Sequence, residues 1–150
     1  MVAKRSSGSD ILSPGDKKKV SIGIELVADP RVMFFDEPTT GIDASSAMAV
    51  AHIMKGLARG GVTSVAVIHQ PRGEIFPLID DIVVLVPGGR VAYFGPAKWT
   101  LAWFSLHGYD LPHPKANRAD FILDVTSGYV KKGSVLHDGA GTHIAAAMFV

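Results

Sequence analysis

Two short apolar runs, Val32-Met33-Phe34-Phe35 and Thr63 to Ile68, flank a segment that carries the marks of a helix. Asp43 suits its N-cap, Ala44 to Arg59 its body, and Gly60-Gly61 its stop. Continuous apolar runs without polar alternation fit strands covered on both faces, as in a parallel sheet. Alternation of helix and strand extends through the first two-thirds of the chain and predicts an α/β fold with a mostly parallel sheet flanked by helices.

The neighbouring segments follow the same logic. Ser13 suits an N-cap, Pro14 a first helical turn, and Asp16 the third position of a capping box. Val20, Ile24 and Val27 recur at helical spacing beside Ile22 and Leu26, so this helix is expected to be largely buried before Asp29-Pro30 ends it. Downstream, a short helix is predicted around Glu74 to Ile79. Asp81 to Val86 and Arg90 to Phe94 should form a hairpin about Pro87-Gly88-Gly89. Ala97 to His107 reads as helical, stopped by Gly108, with Trp99, Trp103 and Phe104 on its core face. Asn117 and Asp120 open a last helix towards Val125. Residues 1–11 read as an exposed lead-in, 12–128 as the structured unit, and 129–150 as an irregular, unassigned tail.

Composition removes several classes of function. Fifteen basic and 14 acidic residues leave a net charge of +1, which argues against a partner held by counterion release, so no nucleic acid is expected. Without cysteine there is no disulfide framework, thiolate metal site or cysteine nucleophile. No apolar run reaches the ~18–20 residues that cross a bilayer, and no secretory signal is visible. The expectation is a soluble, cytoplasmic chain.

The chemistry concentrates at Asp36-Glu37, directly after the first strand. Adjacent strand residues point to opposite faces, so two carboxylates there can do different work: one can hold a hydrated Mg²⁺, the other can orient or deprotonate a water. The carboxyl ends of strands are also where open α/β sheets keep their ligands. Lys17-Lys18-Lys19 reads as a solvated face, and the remaining histidines, His52, His107, His113, His137 and His143, show no metal-ligand spacing.

What surrounds the acidic pair resembles a family. Val32 to Glu37 is similar to the Walker B strand of ATP-binding-cassette (ABC) transporters, Gly41-Ile42-Asp43 to their D-loop, and His69 to their switch histidine. Leu12-Ser13-Pro14-Gly15-Asp16 resembles their signature motif, with Pro14 where the family carries a glycine. Val20 to Leu26, His69-Gln70-Pro71-Arg72 and Ala119 to Asp124 resemble the G-type (white or pleiotropic-drug-resistance) transporters.

The resemblance implies the carboxyl-terminal half of a nucleotide-binding domain with a partial P-loop NTPase fold. It implies ATP and Mg²⁺ as cofactors, Glu37 and His69 as catalytic residues, and Asp36 holding Mg²⁺ through water. Ser13 and Gly15 would contact nucleotide held by a second such domain in a head-to-tail dimer, with Asp43 at the contact. The transporter's transmembrane domain would be the other partner, and the chain would lie at the cytoplasmic face of the membrane. No Gly-x-x-x-x-Gly-Lys-Ser/Thr loop occurs in the sequence, so ATP binding by this chain alone is expected to be weak. A non-enzymatic fragment docking onto a complete nucleotide-binding domain, and a soluble ATPase of DNA-repair type, are the alternatives.

Overall fold

A computed structural model describes residues 12–129 and 146–149. In chain order the elements are α1 (Pro14–Leu26), β1 (Val32–Asp36), α2 (Ala44–Arg59), β2 (Thr63–Ile68), a 3-10 turn (Phe76–Leu78), β3 (Asp81–Val86), β4 (Arg90–Pro96), α3 (Thr100–Leu106), α4 (Arg118–Ser127) and β5 (Ala146–Phe149). Most boundaries fall where the local chemistry puts them. Asp43 caps α2 by accepting the Ser46 N–H, and Asn117 caps α4 by accepting the Ala119 N–H. Gly128, at φ 84°, takes the left-handed conformation that ends α4. Pro77 fits within the first turn of the short 3-10 element, and a second 3-10 turn, Ala97–Trp99, leads into α3.

The strands form one sheet in the order β1-β2-β5-β3-β4. Among the described residues only β1 and β2 run parallel; β2 with β5, β5 with β3, and β3 with β4 are antiparallel. The mostly parallel sheet expected from the sequence is therefore not what forms. Besides the expected β3–β4 hairpin, the cause is β5, which comes from the segment expected to be irregular and inserts between β2 and β3. The rest of that tail, residues 130–145, and the lead-in lie outside the described residues.

The core lies along one face of the sheet. Met33 and Phe35 of β1, Ser64, Ala66 and Ile68 of β2, Ile82 and Val84 of β3, and Tyr93 of β4 are buried. The pairing registers set them in adjacent rows. Apart from Ser64, they join Ile22 of α1, Val50 and Met54 of α2, Phe104 of α3, and Phe121, Ile122 and Val125 of α4 in a single apolar cluster. The other face of β1 is open. Phe34 is 80% exposed and Val32 is exposed too, which corrects the expectation of a strand covered on both faces. The burial of α1 is corrected in the same way: it packs against α2 through one side only, and Val20, Ile24 and Val27 face outwards. On α3, Phe104 reaches the core but Trp103 does not, nor does Trp99 of the preceding 3-10 turn. Trp103 instead meets the Tyr93 and His107 rings, at 6.0 and 4.3 Å.

Candidate functional site

Parallel pairing of β1 and β2 brings Asp36 level with Val67, so the residues that follow both strands meet at one end of the sheet. There His69 Nε2 lies 2.9 Å from Glu37 Oε1. Thr40 Oγ1 donates to the second carboxylate oxygen of Glu37, so both acceptor atoms of the glutamate are engaged. The backbone of Glu37 is held as firmly. Its φ is 48°, in the left-handed region that costs a non-glycine residue ~1–3 kcal/mol. Three bonds maintain it: Glu37 N–H donates to the Val67 carbonyl at 3.0 Å, while its carbonyl accepts from Lys18 Nζ at 2.6 Å and from Thr40 N–H at 3.2 Å. Strain maintained by surrounding bonds at a strand end is a mark of positioned chemistry.

Glu37 and His69 open into a cleft of about 650 Å³. Its wall continues through Thr39 to Ile42, Gln70 and Arg72, and is closed by Leu123, Asp124 and Ser127 of α4 with Tyr129. Burial, reinforced by the Asp120 carboxylate, raises the Asp124 carboxyl above its ordinary range. Arg72 contributes a permanent cation.

Ser13, Gly15 and Asp43 gather in a second place. Ser13 Oγ accepts the Asp16 N–H at 3.1 Å and donates to the Asp16 carboxylate at 2.7 Å, the reciprocal cap expected of these residues. Those bonds, with Lys19, hold the Asp16 carboxyl below its ordinary value. Gly15 meets the first turn of α2: a Cβ built on it would lie 2.4 Å from Ser46 Oγ. Asp43, the cap of that same turn, is held well below the usual carboxylate range by Ser46 and Ser45. Thus the signature-like and D-loop-like segments form one surface through two helix N-termini. Neither Ser13 nor Gly15 lines the Glu37–His69 cleft.

Asp36 stands apart from both. It does not line the Glu37–His69 cleft, is exposed, and lines a smaller groove between α1 and β1 with Lys18, Glu25 and Phe34. Among the described residues it makes no side-chain hydrogen bond, and no three histidine or acidic side chains converge as a ready metal cage. The lysine run is not simply solvated: Lys18 bonds Glu37, and Lys19 pairs with Asp16 at 2.9 Å. Lys18, Thr40, Arg72 and Asp124 are site residues that sequence reasoning missed. Thr40, three residues after Glu37 in a turn-rich stretch, was the one with a local signal.

Fold and site together define a mixed α/β unit with a strained glutamate and a histidine paired at adjacent parallel strand ends. Comparison with known proteins narrows this class. Residues 69–141 match a family model described as ABC-2 type transporter. The chain is 44% identical over 117 residues to the broad substrate specificity ATP-binding cassette transporter ABCG2 of Mus musculus, covering 78% of this chain and 18% of that protein. It is 41% identical over 128 residues to ABC transporter G family member 2 of Dictyostelium discoideum, covering 83% and 10%. Against ABC transporter G family member 25 of Oryza sativa subsp. japonica it is 38% identical over 120 residues, covering 80% and 12%.

The chain is therefore related to a segment of G-family ABC transporters, and it spans less than a fifth of the length of these relatives. The matched model includes His69 but begins after Ser13, Gly15, Asp36, Glu37 and Asp43. These likenesses overturn the expectation of a cytoplasmic chain, because both the ABC-2 type transporter match and the transporter relatives tie it to a membrane system. Among the described residues, no helix is long and apolar enough to cross a membrane.

Proposed function

We propose that this chain supplies the hydrolytic half of the ATP-binding unit of a G-type ABC transporter, the carboxyl-terminal part of its nucleotide-binding domain. The observation that carries the reading is the 2.9 Å pairing of Glu37 with His69 where β1 and β2 end. An ionised glutamate is acceptor-only, so it can orient a water and take its proton. His69 Nε2–H, which here reaches Glu37, can instead donate to the oxygens of a terminal phosphate and stabilise charge developing there. Arg72 adds a cation on the same wall.

Asp36, exposed and without a competing hydrogen bond, would hold Mg²⁺ through water, a mode that suits an ion reluctant to lose its hydration shell. When bound, that ion would neutralise phosphate charge. Ser13 and Gly15 do not line the cleft, so in this reading they serve nucleotide held by a second domain in a head-to-tail pair. Asp43 lies at that contact, and the transmembrane domain receives the resulting movement.

The test is a chimera in which the aligned 117 residues replace their counterparts in a G-family relative. ATP-dependent transport is expected to persist. Glu37→Gln should lower ATPase turnover by ~10²–10⁴ while nucleotide binding is retained. A chimera that turns over ATP equally well with Glu37→Gln would refute the assignment. The free 150-residue chain, which has no Walker A loop, should bind Mg-ATP with Kd weaker than roughly 100 μM, a bound set by the loss of several charge-assisted bonds.

A further inference from the structure

Glu37 holds a backbone state that its own sequence opposes. Its φ of 48° lies outside the common regions for an L-residue, and the proline that follows favours extended backbone at negative φ. Bonds from other segments keep it there. The Val67 carbonyl accepts its N–H at 3.0 Å, and its carbonyl accepts from Thr40 N–H at 3.2 Å and, at 2.6 Å, from Lys18 Nζ. Lys18 belongs to the second turn of α1, 19 positions away in sequence. It is half-buried and lines the groove between α1 and β1 with Glu25 and Asp36. Among the described residues it forms a salt bridge with neither carboxylate and directs its ammonium at a neutral carbonyl instead. A charged donor makes such a bond stronger than a neutral one would.

That carbonyl belongs to the peptide joining Glu37 to Pro38, and Pro38 is buried. Turning this peptide turns the Glu37 backbone, and with it the bond that carries the carboxylate paired with His69. Lys18 does not line the Glu37–His69 cleft, so it reaches the glutamate through the backbone and not through the reacting groups. It also shares its helix with Gly15 and with the N-cap, Ser13. A helix moves as a rigid element, so a displacement at Ser13 and Gly15 displaces Lys18 too. We propose that Lys18 is a positioning residue for ATP hydrolysis: it holds the Glu37 carbonyl so that the carboxylate keeps its place, and it links that placement to the Ser13–Gly15 end of α1. The inference rests on the ATPase reading of Glu37 and adds the residue that sets its geometry.

The test is made in the transporter chimera, where the rest of the relative completes the nucleotide site. Lys18→Met keeps the alkyl stem but removes donor and charge. It should lower kcat for ATP by about ten- to a hundredfold, the scale of a ~1 Å misplacement of a catalytic group, with KM changed by less than about twofold. Lys18→Arg keeps a charged donor and should recover most of the lost kcat. In a Glu37→Gln background Lys18→Met should cause no further loss, because the lysine acts only through the glutamate. If Lys18→Met does not fold, Lys18→Gln, shorter and uncharged but still polar in a half-exposed groove, takes its place with the same expected outcomes. Unchanged kcat, a loss confined to KM, an arginine variant as slow as the methionine variant, or losses that multiply in the double variant would each overturn the proposal. Normal turnover by Glu37→Gln is a separate result, which removes the ATPase reading itself. A slow Glu37→Gln beside an unaffected Lys18→Met removes only the role of Lys18.

Discussion

Gly15→Ala isolates the contact that joins the two capped helix starts. An added Cβ would fall 2.4 Å from Ser46 Oγ and 2.6 Å from Ser46 Cβ, closer than real Cβ contacts come. Relieving such overpacking in a buried position costs ~1–3 kcal/mol. Against this stands the helical preference for alanine over glycine, ~0.5–1 kcal/mol. The net expectation is a destabilisation of about 1–2 kcal/mol, which for m near 1–3 kcal/mol/M lowers the urea midpoint by roughly 0.3–2 M.

The second site tells steric cause from generic damage. Ser46→Ala removes Oγ but leaves the Cβ at 2.6 Å, so it should not rescue Gly15→Ala. Ser46→Gly removes both atoms and should restore most of the loss beyond its own effect, giving a coupling energy of about 1 kcal/mol or more. The assay is equilibrium urea unfolding of the three single and two double variants, followed by far-UV circular dichroism. A Gly15→Ala midpoint at or above wild type, or full rescue by Ser46→Ala, would show that the helices are not in this contact.

Three further substitutions probe the rest of the molecule. Met54→Ala, at a fully buried position, should cost ~2–5 kcal/mol, whereas Phe34→Lys, on the open face of an edge strand, should change stability by less than ~0.5 kcal/mol and reduce light scattering on concentration. A large loss at Phe34 would mean that this face is covered. Asp124 is raised above the 3.8 of a free aspartate, so the folded state holds its proton more tightly than the unfolded chain. Stability must then fall as pH rises from that value through the raised one. Urea midpoints across the acid range should flatten in Asp124→Asn, and an unchanged slope would remove burial as the cause.

Local chemistry was legible because it acts over a few residues. The caps at Ser13, Asp43 and Asn117, the span of α2 and the β3–β4 hairpin all follow from side chains reaching their own backbone or from turn residues. The pairing of Glu37 with His69 was legible only as two motifs resembling one family; the bond between them depends on the parallel register of β1 and β2. Lys18 and Asp124 were invisible for the same reason. The first reaches the site from another helix, and the second closes it from an element placed far along the chain.

The amino-acid order by itself determined where elements begin and end, because helix caps, glycine stops and apolar runs are decided within one or two turns of backbone. Tertiary structure alone decided which faces are covered and which strand sits at the centre. Val20, Ile24 and Phe34 have apolar side chains that the described residues leave exposed, and Ala146–Phe149 found its place by pairing with two distant strands. Burial and strand pairing belong to segments brought together in space, and no pattern within one segment records its partner.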